Sequence, residues 1–250
     1  MMEYRNSQEA INDGWHFMNK LDSSVLITDY TGDSDKLVYP DTIGGKPVTT
    51  VARCSTNNIK KVKIGFGSTN LGNLNLSAQL FKNFPALENI ELGPRITRIP
   101  DDFARNCVRL RTINMGPNIS QIGVNAFAYT DIAYLSGNNS ILDIGRGAFK
   151  HCRSLKSVIL PSIKKLQMCA FFNCKSLTSV TLGDELQSLE ASAFEATGLE
   201  EIFLPKSLKV LPELSFAECK NLTRVYLSEE IEHIAGNTFY SSPNISIIFY

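Results

Sequence analysis

The stretch FKHCRSLKSVILPSIKKLQMCAF, residues 149–171, carries the pattern from which the fold can be read. Phe149 opens it, Cys152 comes three residues later and Leu155 three after that. Val158 and Leu160 alternate, Pro161 stops the run, Ile163 and Leu166 form a second apolar pair, and Ala170-Phe171 begins the next copy. The alternation suits a short strand with its apolar side inward. Pro161, and Gly93-Pro94, Gly116-Pro117, Gly183 and Pro205 in the sister copies, end that strand in a turn. The spacing of three in A-F-x-x-C-x-x-L predicts about one turn of helix or 3₁₀-helix.

Moving outward, Phe81, Phe103, Phe127, Phe149, Phe171, Phe194, Phe216 and Phe239 form a ladder with steps of 22, 24, 22, 22, 23, 22 and 23 residues. Between rungs the strand frame recurs, as in Leu87/Ile90/Leu92 and Leu222/Val225/Leu227, and so does the second pair, as in Ile96/Ile99 and Ile231/Ile234. Self-similarity at this period means a solenoid, because one such unit has apolar residues on several sides and no partner for them until copies stack. Burying each ladder ring contributes roughly 1.5–3 kcal/mol. The expected fold is a β-rich α/β solenoid, with a strand on one face of each coil and tight helical turns opposite.

The pattern A-F-x-x-C-x-x-L-x-x-I-x-L-P resembles the BspA-type leucine-rich repeat family. It departs from the ordinary L-x-x-L-x-L-x-x-N-x-L repeat, since Pro161 follows Leu160 and no Asn or Cys stands three residues beyond Leu160. The resemblance covers residues 80–250, with units opening at Leu87, Leu110, Ile132, Leu155, Leu177, Leu199 and Leu222. Tyr30-Thr31-Gly32 through Tyr39-Pro40, then Ile43-Gly44-Gly45-Lys46-Pro47-Val48, resembles the family's leading repeat. The resemblance implies a right-handed superhelix, and surface-associated proteins that bind or adhere in host-associated bacteria and protists. An extracellular or cell-surface location is therefore an expectation, although no basic-then-apolar leader opens the sequence.

Three segments are expected. Residues 1–13 are a loose N-terminal segment, 14–53 a cap with the leading repeat, and 54–250 the solenoid. Residues 14–30 read as a β-hairpin covering the first coil, with Trp15 in its core. Residues 65–80 hold an irregular insertion, read as a tolerated bulge. Its GFG lacks the Lys-Ser/Thr of a phosphate loop. At the other end, Ile245, Ile247, Ile248, Phe249 and Tyr250 finish in mid-strand, which predicts self-association through an uncapped coil or a longer natural chain.

Charge is balanced, with 25 basic and 25 acidic residues, which argues against a nucleic-acid partner. The longest apolar runs fall short of a membrane span. Cys107, Cys152, Cys174 and Cys219 share one repeat column with Thr130 and Thr197, so they read as small, half-buried fillers with free thiols. Cys54 and Cys169 fall outside the column. Cys152 and Cys174 on neighbouring coils are placed at the long edge of disulfide geometry, and no Cys/His pairs have zinc spacing. His16, His151 and His233 form no catalytic pairing, and His151 reads as a solvated surface residue. The carboxylates are scattered along a solvated face, and five N-x-S/T sequons read as turn chemistry. No enzyme activity, metal or cofactor is expected.

The strand face gives the better clue. Its outward column is read as Lys63, Glu91, Asn114, Ser136, Ile159, Thr181, Phe203, Tyr226 and Phe249, with Tyr134, Glu201 and Arg224 on a neighbouring column. Its C-terminal half is apolar, and aromatics beside an Arg are what protein-binding hot spots use. Tyr134, Ile159, Phe203, Arg224, Tyr226 and Phe249 are thus the expected partner-binding residues. The expected function is display of a rigid face to another protein. The alternatives are a spacer or scaffold segment of a longer surface protein, or a carbohydrate-binding module whose aromatics stack on sugars.

Overall fold

The computed structural model describes residues 14–52, 54–136 and 140–250. The chain winds into stacked coils, and each strand frame named above becomes a strand of a front wall. Ten front strands follow one another: Lys36–Val38, Lys61–Ile64, Asn89–Leu92, Thr112–Asn114, Tyr134–Ser136, Ser157–Leu160, Ser179–Leu182, Glu201–Phe203, Arg224–Leu227 and Ser246–Phe249. Within three successive ladders they pair parallel and in register, so Val62 lies beside Ile90 and Val158 beside Val180. The second apolar pairs form a second wall of two-residue strands, from Arg98–Ile99 to His233–Ile234, again parallel.

At the N-terminal end Trp15–Asn19 and Val25–Tyr30 form an antiparallel hairpin. Its second strand pairs parallel with Lys46–Val51, which pairs in turn with Asn75–Leu76, so the hairpin lies at the head of the second wall. Trp15 packs against Tyr30 and Tyr39, with ring centroids 4.6 and 4.8 Å away, and Tyr39 meets Phe81 at 6.3 Å. The segment at 65–80 is tied down by Arg95, which is buried. Arg95 donates from Nε to the Gly72 carbonyl at 2.9 Å, from Nη1 to Asp41 at 2.9 Å and from Nη2 to the Val48 carbonyl.

The helical half of the expected α/β class is not present. Among the described residues there is no α-helix, and the one 3₁₀ turn, Thr69–Leu71, lies in the insertion. The wall built by A-F-x-x-C consists of turns in which two residues four apart take left-handed backbone: Gly147 and His151, Cys169 and Asn173, Ser192 and Ala196, Leu214 and Glu218. A helix needs an unbroken right-handed run, so these positions forbid one. What they provide is a third ladder. Gly147, Phe149 and His151 donate their N–H groups to the carbonyls of Met168, Ala170 and Phe172 on the next coil, at 2.8–2.9 Å. Where all three ladders run, a coil is hydrogen-bonded to its neighbour on three sides, which satisfies backbone groups that would otherwise be buried unpaired.

The eight ladder rings form one continuous stack. From Phe127 to Phe239 neighbouring rings lie 5.4–5.9 Å apart and within 19° of parallel. Phe103 alone meets both neighbours edge-on, at 76° and 83°. The reason is a swapped dipeptide. The backbone ladder sets Ala104 opposite Phe81 and Phe127, while Phe103 takes the slot that Ala fills in the copies at 126, 148 and 170. That swap also explains the uneven ladder steps of 22 and 24 residues.

Candidate functional site

Among the described residues no three His, Cys, Asp or Glu side chains are grouped to hold a metal ion. The six cysteines are free thiols. Those of the shared column are fully rather than half buried. Each donates its Sγ–H to the carbonyl of a ring-slot residue on the coil before: Cys107 to Phe81 at 2.9 Å, and Cys152 to Phe127, Cys174 to Phe149 and Cys219 to Phe194 at 3.1 Å. Thr130 and Thr197 make the corresponding bond within their own coil at 2.8 Å. Ser242, which also belongs to this column, donates to the Phe216 carbonyl at 2.8 Å. The column therefore selects a small residue with a donor. Burial pushes the Cys152 thiol up to about 11 and the Cys107 thiol up to about 12, so neither is a nucleophile near neutral pH.

The outward column exists, but the front wall divides it into three ladders. Val38, Lys63, Glu91 and Asn114 align in the first, Ser136, Ile159 and Thr181 in the second, Phe203 and Tyr226 in the third. No strand ladder joins Thr112–Asn114 to Tyr134–Ser136, or Ser179–Leu182 to Glu201–Phe203. Both breaks follow a shortened corner. Full corners place Leu155, Leu177 and Leu222 six residues after the ring, whereas Ile132 and Leu199 come five after theirs. One residue fewer shifts the following strand out of pairing with the coil before it.

Phe249 is misplaced by the sequence reading. Tyr226 pairs with Ile248, and Phe249 pairs with the inward Leu227. The step from Tyr226 to its equivalent is 22 residues rather than 23, and a slip of one residue moves a side chain to the opposite face of a strand. The third ladder thus runs Phe203, Tyr226, Ile248. Phe203 is 56% exposed, and its ring stacks on that of Tyr226 with centroids 3.9 Å apart and planes 2° from parallel. Beside them Arg224 pairs with Glu201 at 2.8 Å. Tyr134, 60% exposed, and Ile159 lie on the second ladder, across the break from this group.

Two features escaped the sequence reading. His151 is not an isolated surface residue: its ring stacks on Tyr129 at 4.6 Å and meets Phe172 edge-on at 5.5 Å, and Asn173 bonds its Nδ1 at 2.7 Å. Burial, with Lys150, Arg153 and Lys175 nearby, lowers its pKa. Tyr250 reaches back two coils and donates its hydroxyl to the Leu204 carbonyl at 2.7 Å.

A family model described as the BspA type leucine rich repeat region matches six copies over residues 54–156 and 142–250, most of the chain. The chain belongs to the BspA-type leucine-rich repeat family. This solenoid is similar in fold to two solved leucine-rich repeat proteins. One, from Bacteroides ovatus, is 19% identical with a TM-score of 0.68, the match covering 96% of this chain and 71% of that one. The other, from T. pallidum, is 21% identical with a TM-score of 0.56, covering 94% and 91%. No curated protein sequence matches the chain. The matching family is one of typically non-catalytic repeat proteins. Among the described residues no helix is long and apolar enough to cross a membrane.

Proposed function

We propose that this BspA-type protein is a non-enzymatic binding scaffold that holds another protein against the C-terminal half of its strand face. The observation that carries the reading is the Phe203–Tyr226 stack, Phe203 exposed and Tyr226 half-buried, beside the Arg224–Glu201 pair. Two aromatics fixed by the ladder lose little freedom on binding, and the neighbouring Arg matches the composition of interface hot spots. Tyr134 and Ile159 extend the face, and the stacked coils below it supply rigidity. In this reading the hairpin at 15–30 caps the first coil, supported by the packing of Trp15 on Tyr30 and Tyr39. The test is capture of partners by wild type beside Phe203→Ser/Tyr226→Ser. Loss of capture with an unchanged melting temperature is the expected result. Retained capture overturns the reading, and a large loss of stability marks the two rings as core.

The last described strand, Ser246–Phe249, supports a second contact. Its inward residues Ile247 and Phe249 are exposed, whereas Val225 and Leu227 beside them are buried. An open strand edge with apolar side chains is a template for pairing with a second copy. Light scattering is expected to show mass rising with concentration, and Ile247→Lys to abolish the rise. A constant monomer mass at high concentration counts against the contact.

A further inference from the structure

The two shortened corners are a natural pair, and they are filled differently. At the first, Asp131 occupies the space left by the missing residue. Ser154 of the next coil donates its hydroxyl to Oδ1 of Asp131, and Arg111 donates Nε to Oδ2 at 3.2 Å. At the second the residue following Thr is Gly198, and the space is a trough of about 460 Å³ open to solvent. A side chain cannot close it without a backbone shift, because a Cβ on Gly198 would lie 2.4 Å from the Lys175 carbonyl oxygen. Phe172, Lys175, Glu195, Glu218, Lys220 and Asn221 line the walls. Lys220 is held in place by Glu218 at 2.9 Å and by the carbonyl and hydroxyl of Ser241, both at 2.8 Å.

We infer that this trough is a binding site for an uncharged saccharide. Among the lining residues the ammonium groups of Lys175 and Lys220 are matched by the carboxylates of Glu195 and Glu218, so the lining itself does not single out an ion of either sign. They offer instead donors and acceptors side by side around one aromatic ring. Glu218 and Ser241 already take the three N–H groups of Lys220; a hydroxyl both donates and accepts, so a polyol can accept from Lys175 and Asn221 and donate to Glu195 at once. Lys150 lies over one face of Phe172, with Nζ 5.0 Å from the ring centroid; the C–H face of a sugar ring packs on the face that Lys150 leaves, giving the combination of apolar surface and a few convergent polar groups that marks a ligand pocket, at a volume within the usual range. The molecule supplies its own precedent, since the sister corner is filled by oxygens that accept from a hydroxyl on one side and a cation on the other. The site lies on the turn wall, and its chemistry is independent of the Phe203–Tyr226 stack on the strand face.

The experiment follows the backbone amide resonances of the whole chain while free glucose, galactose, mannose and N-acetylglucosamine are titrated in separately. At least one sugar is expected to shift the amides of Ala196, Gly198 and Asn221 in a saturable way. Phe172→Leu is expected to weaken that sugar by about tenfold, roughly 1.4 kcal/mol. Phe203→Ser/Tyr226→Ser is expected to leave it unchanged, which separates this inference from the strand-face reading. Asn221→Ala, on the exposed rim, must also weaken the sugar, and it decides the question should Phe172→Leu unfold the chain. The inference is overturned if no sugar shifts these amides, if the shifts survive both trough variants, or if only an added charged peptide produces them.

Discussion

At the residue scale, one small column shows how the repeat chooses its side chains. After the first copy, where Phe84 stands, the position following the second left-handed residue takes Cys, Thr or Ser, and each donates to a carbonyl in the ring stack. A thiol suits this slot because it is small, apolar enough to be buried and still a weak donor. Burial makes its ionisation costly, and this has a measurable consequence. The thiol of Cys107 is pushed from 9.0 to about 12, and those of Cys54 and Cys152 from 9.0 to about 11. In each case the folded state holds the proton more tightly than the unfolded chain. The stabilisation is therefore complete below pH 9 and is lost as pH rises through the folded values. Urea midpoints, measured with reductant present, are expected to be flat through neutral pH. They should then fall steeply between about pH 9 and 12, each such thiol adding a slope approaching about 1.4 kcal/mol per pH unit. Cys107→Ala should make the fall shallower, and an equal fall in that variant would show that this thiol does not carry the effect.

At the scale of the element, what can be read from sequence is what recurs by spacing. Val158, Leu160, Ile163 and Leu166 announce both strand walls, because inward-facing residues must be apolar in every copy. The turn wall was misread because spacing alone does not report backbone hand. Positive φ at Leu214, Ala196 or Cys169 leaves no compositional trace, although Asp102, Asn106, Asn125 and Asn173 hint at it through the tolerance of Asn and Asp for that region. The candidate face was legible at Phe203, Tyr226 and Arg224, where the repeat is regular, and failed at Phe249, where one residue of slip was not counted. The trough left a trace as well: the corner after Phe194 is one residue short and carries a Gly. Nothing local announced Arg95, because its partners Asp41, Val48 and Gly72 lie on other coils and in the insertion. That contact fixes the segment, so Arg95→Ala, which leaves the buried Val48 carbonyl and the partly exposed Asp41 carboxylate unpaired, is expected to cost about 3 kcal/mol. Hydrogen exchange should quicken first at the amides of Leu71, Gly72 and Leu74. Unchanged exchange there would show that the insertion is held by other contacts.

At the scale of the whole molecule, stability in a solenoid is the sum of coil terms and nearest-neighbour interfaces, so the weakest interface sets where the chain opens. Most neighbouring coils share ladders on three walls. At the first shortened corner only the front wall is interrupted, since Gln121–Ile122 still pairs with Asp143–Ile144. At the second, the front wall is interrupted between Leu182 and Glu201, and the second wall between Leu189 and Val210. The turn wall continues there, with Ser192 donating to Glu213, Phe194 to Ser215 and Ala196 to Ala217. The Phe194 and Phe216 rings also stay stacked at 5.7 Å. Two ladders out of three are thus missing at one interface, the interface that also holds the trough. Native-state hydrogen exchange is expected to resolve the strands at 201–203, 224–227 and 246–249 as one unit. This unit should open at lower free energy than the strands at 157–160 and 179–182. Saturation of the trough should raise the opening energy of that unit by RT ln(1 + [L]/Kd) without a matching rise in the coils before it. Exchange of both groups at a single opening energy would mean that the ring stack and the turn ladder alone keep the solenoid cooperative across the break.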